Sequence, residues 1–358
     1  NSIIDREALK RGNSTYFPDK VIPMLPEDLS NNLCSLKENL PKKAVVVKMH
    51  LDYKGYKIRH EFIRGIITVK KNYSYENFEA YLSDCETKKK YSGYKRALSI
   101  LKQSPHLKNR LNLNLAEKKI GFSSEGYPTN VYEKNSLRSN ELIEMTMILA
   151  NLCVSQTLSQ SITKYLSRYH ETPDKHALKD LNIFTSLNDL ATIREKQVTS
   201  NSLNELLKQC KYPEKKDLLS NFILRILPKA KYSDVKVGHF GLNLPLYCHF
   251  TSPIRRYADL TVHRSLAFAL KWEMDDFDCV EDYKAICKII NESEKKSVGA
   301  ERESLDRYSA LFMSNHLDDY FDGIVSGSSR SCIFIKLKKF PIEGVLLKKY
   351  LRFKSEKK

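Results

Sequence analysis

The chain has 358 residues, 41% of them apolar against 29% charged, which is enough to build a core and excludes disorder as the dominant state. Its 60 Lys and Arg against 43 Asp and Glu give a formal charge of +17, which favours a polyanionic partner because clustered cations attract phosphate and release counterions. No stretch approaches the ~18 consecutive apolar residues of a membrane span, and eight cysteines lacking a Cys-x-x-Cys pair or a histidine at metal spacing exclude a disulfide scaffold and a zinc module.

The opening Asn-Ser-Ile-Ile-Asp-Arg-Glu is neither a signal peptide nor an initiating Met, so the expectation is a soluble, cytoplasmic chain with reduced thiols that starts in mid-protein. Residues 41–110 hold 17 basic and 6 acidic side chains and residues 324–358 hold 10 and 2, whereas 271–290 reverses the sign with 3 and 6. A Lys bias common to every protein of the source would produce the same excess. Neither basic region forms a clean amphipathic helix with Trp or Phe on its apolar face, which argues against a membrane partner.

In chain order, residues 44–69 predict an antiparallel strand pair turning at Tyr53-Lys-Gly55. From 140 to 158 the run is apolar almost all round and predicts a buried helix, with Ser139 or Asn140 as its cap. Further helices are expected at 202–210, 216–227, 253–271 and 281–310, the last continuing through 306–320. After Asp322 short β-branched and aromatic runs broken by Gly and Ser predict two or three strands of a small separate module.

The most informative window is His249-Phe-Thr-Ser-Pro-Ile-Arg-Arg-Tyr-Ala-Asp-Leu-Thr-Val-His-Arg264. Ser252 and Pro253 predict a helix start, with Ser as cap and Pro at the first position. That would put Arg255 and Arg256 in the first turn, against the helix dipole, a placement that suits either a bound phosphate or salt-bridged surface arginines. His263 and Arg264 read as packing or network residues. Glu144 interrupts the apolar helix on the face of Asn151, and Glu301 falls on the stripe of Val298, Leu305, Tyr308, Leu311 and Phe312. Both carboxylates are expected inside with a partner, Arg255 being one candidate for Glu301, and each could equally be a structural ion pair.

Four blocks resemble the catalytic (RNB) domain of the ribonuclease II and ribonuclease R family: ALKRGNSTYFPDKVIPMLPEDLSNNLCSL (8–36), ELIEMTMILAN (141–151), RYHETPD (168–174) and YSDVKVGHFGLNLPLYCHFTSPIRRYADLTVHRSL (232–266). The resemblance implies an α+β fold: a catalytic domain over 1–320 with an antiparallel sheet and surrounding helices, lacking its N-terminal part. An incomplete OB-fold RNA-binding module would occupy 321–358. It also implies a processive 3′-to-5′ hydrolytic exoribonuclease releasing nucleoside 5′-monophosphates from single-stranded or structured RNA. Carried over by motif, Arg255 resembles the arginine on the scissile phosphate, and Arg256 beside it is expected to bind RNA. Tyr75 resembles the tyrosine next to the last nucleotide, and Tyr16 the aromatic that stacks on a base deeper in the strand path. Glu144 and Glu301 resemble acids lining or supporting the RNA site.

The departures bear on activity. In the family an Asp-x5-Asp-x-Asp-Asp cluster holds Mg²⁺, and no such pattern occurs in the 358 residues. Asp275-Asp276 with Asp278, and Asp318-Asp319 with Asp322, have the wrong place and spacing. Leu113 stands where the family usually has a Phe that pairs with the stacking tyrosine. Three readings follow: an exoribonuclease whose aspartates lie outside this chain, on a preceding segment or a separate chain; an inactive RNA-binding remnant; or a scaffold that uses the fold without chemistry.

Overall fold

The computed structural model describes residues 2–83, 92–113, 115–161, 164–272 and 282–351, with the side chains of 196 and 214 excepted. In chain order the elements are α1 (Ile3–Arg11), β1 (Thr15–Tyr16), β2 (Val21–Ile22), β3 (Pro41–Leu51), β4 (Lys57–Thr68), α2 (Tyr75–Ser83), α3 (Ser92–Gln103), β5 (Glu117–Phe122) and β6 (Pro128–Lys134). There follow α4 (Arg138–Ser161), β7 (Ser167–Tyr169), α5 (Lys175–Leu187), α6 (Ser200–Gln209), α7 (Pro213–Ile226), β8 (Lys231–Ser233), α8 (Tyr257–Ala269), α9 (Tyr283–Met313), β9 (Gly323–Ser328), β10 (Cys332–Leu337) and β11 (Glu343–Leu347). The fold mixes helices with small antiparallel sheets, each of two or three strands.

Two compact units are present. The first comprises Asn1–Thr15, Ile22–Asn114 and Ser136–Ser297, the second Tyr16–Val21, Leu115–Asn135 and Val298–Lys358. In the first, α4 is the central element: twelve of its residues are buried, among them Met145, Leu149, Leu152, Cys153 and Val154. It is long and apolar enough to cross a membrane by length and composition, yet most of it is covered by this unit's own side chains. Neither expected cap serves it. The helix begins at Arg138, Ser139 Oγ donates to Tyr75 O, and Asn140 Oδ1 accepts from Leu137 N.

The 44–69 strand pair is present as β3 and β4, in register from Pro41–Thr68 to His50–Arg59 with a bulge beyond. Gly55 closes its turn at φ +80°, where a Cβ would lie 2.5 Å from Ile100 O, so both backbone and space demand glycine. The expected helices at 202–210, 216–227 and 281–310 are present as α6, α7 and α9, while Ser314–His316 tightens into a 3₁₀ turn instead of continuing the last. Periodicity did not expose α1, α2, α3, α5 or the pairs β5–β6 and β7–β8. The last pair joins residues more than sixty positions apart, which no local pattern reports.

In the second unit β9, β10 and β11 form one antiparallel sheet in the order β11-β10-β9. These strands are not a unit of their own. Ile342, Leu337 and Phe340 pack with Ile120 and Val131 of the β5–β6 hairpin and with Leu305, Tyr308 and Phe312 of α9. Arg352 to Lys358, the Lys-rich end, and Asp275, Asp276 and Asp278 lie outside the described residues.

A candidate phosphate-binding turn

Residues 252–255 form a turn, and α8 starts only at Tyr257. The expected start at Ser252-Pro253 therefore fails, because the backbone groups of this segment are taken by other partners. Arg255 N and Arg256 N both donate to Ser252 O, at 3.3 and 3.1 Å, closing a turn rather than a helix. Ser14 N then donates to Arg255 O at 3.0 Å, and Tyr257 N to Gly12 O at 2.9 Å. Arg256, extended at φ −138°, bridges to Asn13 and is the residue preceding the helix. The Arg-Gly-Asn-Ser segment thus runs antiparallel beside the two arginines. Gly12 makes this possible at φ +70°, where a Cβ would sit 2.7 Å from Ser293 Cβ.

The two neighbouring arginines differ completely. Arg255 is exposed, and its guanidinium makes no hydrogen bond or ion pair among the described residues. Arg256 turns inward onto Asp259, which is fully buried. Nη2 donates to Oδ1 at 2.9 Å and Nε lies 2.7 Å from Oδ2. Burial opposes the Arg256 charge, but Asp259 raises its pKa above the ordinary arginine value. Arg256, expected among the RNA-binding residues, has its guanidinium on this buried carboxylate and its side chain is 18% exposed.

Beneath the turn lies a buried cluster that the sequence did not single out. Tyr232 Oη is 2.9 Å from His249 Nδ1, and Arg168 stacks over the Tyr232 ring at 4.5 Å. Burial, then Arg256, Arg168, His239 and Arg255, hold the His249 pKa well below its usual value. His239 is pushed down to about 3 by burial, then by His170 and Arg168. His170, its ring 5.0 Å from that of His239, is also lowered by burial. The only sequence signal was that these histidines fall inside the quoted 168–174 and 232–266 blocks.

Asn151 ties this region to α4, donating from Nδ2 to Tyr247 Oη and accepting Phe250 N–H on Oδ1, both at 2.9 Å. His263 stacks on Phe250 at 4.1 Å and Arg264 pairs with Asp5, so both are network residues, as expected. Glu144, seven residues before Asn151, is not buried: its side chain is 53% exposed, and its cation is Arg110 at 3.9 Å. The helical face it shares with Asn151 emerges into solvent near the start of α4, where Ser139 also holds Tyr75 O. Tyr75 is itself exposed. Tyr75 and Glu144 thus share one end of α4 in the first unit, as do Arg255 and Arg256 the turn.

Tyr16 and Glu301 meet in the second unit. Glu301 Oε1 accepts the Tyr16 N–H at 2.6 Å. Glu301 is half-buried, so its inward tilt is right, but the partner is a backbone N–H and not an arginine. The Tyr16 ring is exposed, which leaves a π-face for a ligand. Leu113 packs in the first unit against a helical cluster that includes Leu178, Leu203 and Leu219. Among the described residues no group of three or more His, Cys, Asp or Glu side chains could hold a metal ion, so the residues present do not fit a Mg²⁺ centre. Asp319 is paired with His316 Nδ1 at 2.9 Å.

Comparison with known proteins places these features in a family. The RNB domain model matches residues 1–271. Ribonuclease R of Aquifex aeolicus is 31% identical over 351 residues, covering 96% of this chain and 50% of that protein. Two structures of Mycoplasma genitalium RNase R superpose on the chain. The complex with ribose-methylated single-stranded RNA has a TM-score of 0.90 at 27% identity, covering 99% of this chain and 57% of that one. The complex with double-stranded RNA has 0.86 at 28%, covering 97% and 64%. The chain spans about half the length of the curated relatives it matches.

Proposed function

Since the chain belongs to the RNB domain family, we propose that it is the RNA-positioning part of a processive 3′-to-5′ exoribonuclease of the ribonuclease R type, which hydrolyses RNA to nucleoside 5′-monophosphates. The observation that carries this reading is Arg255: an exposed guanidinium with no hydrogen-bond or ion-pair partner among the described residues, on a turn pinned on both sides by backbone hydrogen bonds. Such a group neutralises and orients a phosphate at little reorganisation cost. Tyr16 and Tyr75 present exposed rings on which bases stack without regard to identity. Glu301 holds the Tyr16 backbone, and Glu144 on α4 faces Arg110.

The aspartates that would bind Mg²⁺ lie, in this proposal, on sequence beyond these 358 residues, on the same polypeptide or an associated chain. The metal would supply activation of the attacking water. The described cysteines are free thiols, which suits a reducing cytoplasm. A second reading is an RNA-binding remnant without hydrolysis, since among the described residues no carboxylate cluster could hold a metal ion. The experiment incubates this chain with 3′-accessible RNA and Mg²⁺, alone and with a supplied N-terminal segment carrying the aspartates. RNA binding by the chain alone, with mononucleotide release only when the segment is added, supports the enzyme. Binding with no release under either condition supports the remnant. Metal-dependent release by the chain alone shows that its ligands are misplaced in this account.

A further inference from the structure

Asp259 contacts both ends of the turn that carries Arg255. Its Oδ1 accepts Ser252 N–H at 2.7 Å, at the start of the turn, and Arg256 Nη2 at 2.9 Å, immediately after its end. Nothing of Asp259 is exposed, and the Arg256 side chain is 18% exposed. One buried carboxylate therefore spans the segment 252–256 from inside, while Arg255, between the two held points, faces solvent. We propose that Asp259 and Arg256 are positioning residues for Arg255: the ion pair is a staple that fixes the turn's backbone so that the Arg255 guanidinium is presented in one place to an RNA phosphate. This rests on the RNA reading of Arg255.

The physical case has two parts. A buried ion pair is weak evidence for stability by itself, because desolvating both charges cancels much of their attraction. A role in shaping the turn accounts for a fully buried carboxylate that takes one hydrogen bond from Arg256 Nη2 and holds its Nε at 2.7 Å. The turn's own backbone bonds, from Arg255 N and Arg256 N, both converge on Ser252 O and leave the Ser252 N–H to Asp259. The preceding segment is already tied by Phe250 N to Asn151 and by His263 to Phe250 O, and Arg255 O is held by Ser14 N. Asp259 adds two contacts to these, one to the Ser252 N–H and one to the side chain that follows Arg255.

The test is a double-mutant cycle read by single-stranded RNA affinity as a function of salt, on full-length chains whose fold is checked by circular dichroism. Arg255→Ala is expected to weaken binding about tenfold and to flatten the logarithmic salt slope by about 0.7, the value for one phosphate contact on a single strand. Asp259→Asn, which keeps the oxygen for Ser252 N–H but removes the charge facing Arg256, is expected to lose about the same affinity and slope. The double variant is expected to be no weaker than Arg255→Ala, within about twofold. Arg256→Lys, which keeps the charge but not the fork, is expected to fall between parent and Arg255→Ala, and decides the matter if Asp259→Asn does not fold. Folded Asp259→Asn or Arg256→Lys chains with the parent's affinity and slope, or losses that add to that of Arg255→Ala, overturn the positioning role. An Arg255→Ala chain identical to the parent overturns the RNA reading itself.

Discussion

Arg168 and Glu294 face each other through two parallel hydrogen bonds, Nη1 to Oε2 at 2.7 Å and Nη2 to Oε1 at 2.9 Å. The same guanidinium lies over the Tyr232 ring, whose hydroxyl meets His249 under the Arg255 turn. Fork and plane are used together, and an ammonium can supply neither. Arg168→Lys is expected to destabilise the chain by about 1–2 kcal/mol, and Arg168→Ala by roughly 3 kcal/mol because Glu294 loses its partner while partly buried. Urea unfolding measures both. Midpoints equal to the parent's would show that the pair adds nothing to stability.

The contact between Tyr16 N and Glu301 gives a prediction of opposite sign. Glu301→Gln retains an oxygen for the backbone N–H and removes one negative charge near an exposed stacking ring. RNA affinity at low salt is expected to rise two- to threefold, on the order of 0.5 kcal/mol for one partly screened charge, and the gain to vanish as salt screens it. Fluorescence anisotropy with a labelled oligonucleotide reads this directly. Weaker binding by the Gln variant would mean that the ionised carboxylate itself is needed.

Removing either exposed tyrosine should weaken RNA binding without changing base preference. Tyr16→Ala or Tyr75→Ala is expected to cost ~1–3 kcal/mol, and the Phe variants to keep most of the affinity because the ring does the stacking. Comparing homopolymers of uridine and adenosine is the check. A Tyr→Phe loss as large as Tyr→Ala would assign the contact to the hydroxyl.

Mild acid should destabilise the first unit. Burial first, then His170 and Arg168, depress His239 to about 3 when folded, and His249 is held well below its usual value by burial and then by Arg256. For a depressed histidine the stabilising difference is complete above the unfolded pKa near 6.5, and it is lost as pH falls from there towards the folded pKa. His239 alone should cost about 1 kcal/mol between pH 6.5 and 5.5. Thermal melts over that window test this, above the range where carboxylates titrate. A flat melting temperature would place these imidazoles in water.

What the sequence determined by itself was whatever a single segment states about its own surroundings. The apolar run of α4 had to be a buried helix, the 44–69 alternation had to be a hairpin, and the long blocks around Tyr16 and Arg255 carried the family resemblance that the RNB domain match bears out. Tyr16 and Tyr75 are exposed, not core, aromatics. The tertiary structure decided which partners each chemical group has. Arg255 and Arg256 are adjacent and identical in type, yet one faces solvent and the other Asp259, because the Gly12–Ser14 segment pairs with their backbone and stops α8 from starting at Ser252. Glu144 came out exposed because its face of α4 reaches solvent while Leu142 and Met145 beside it stay buried, and Glu301 found a backbone N–H where an arginine was expected. Periodicity reports the face of one element, whereas a carboxylate's partner is set by whichever distant segment arrives against that face, and that arrival is fixed only when the whole core packs.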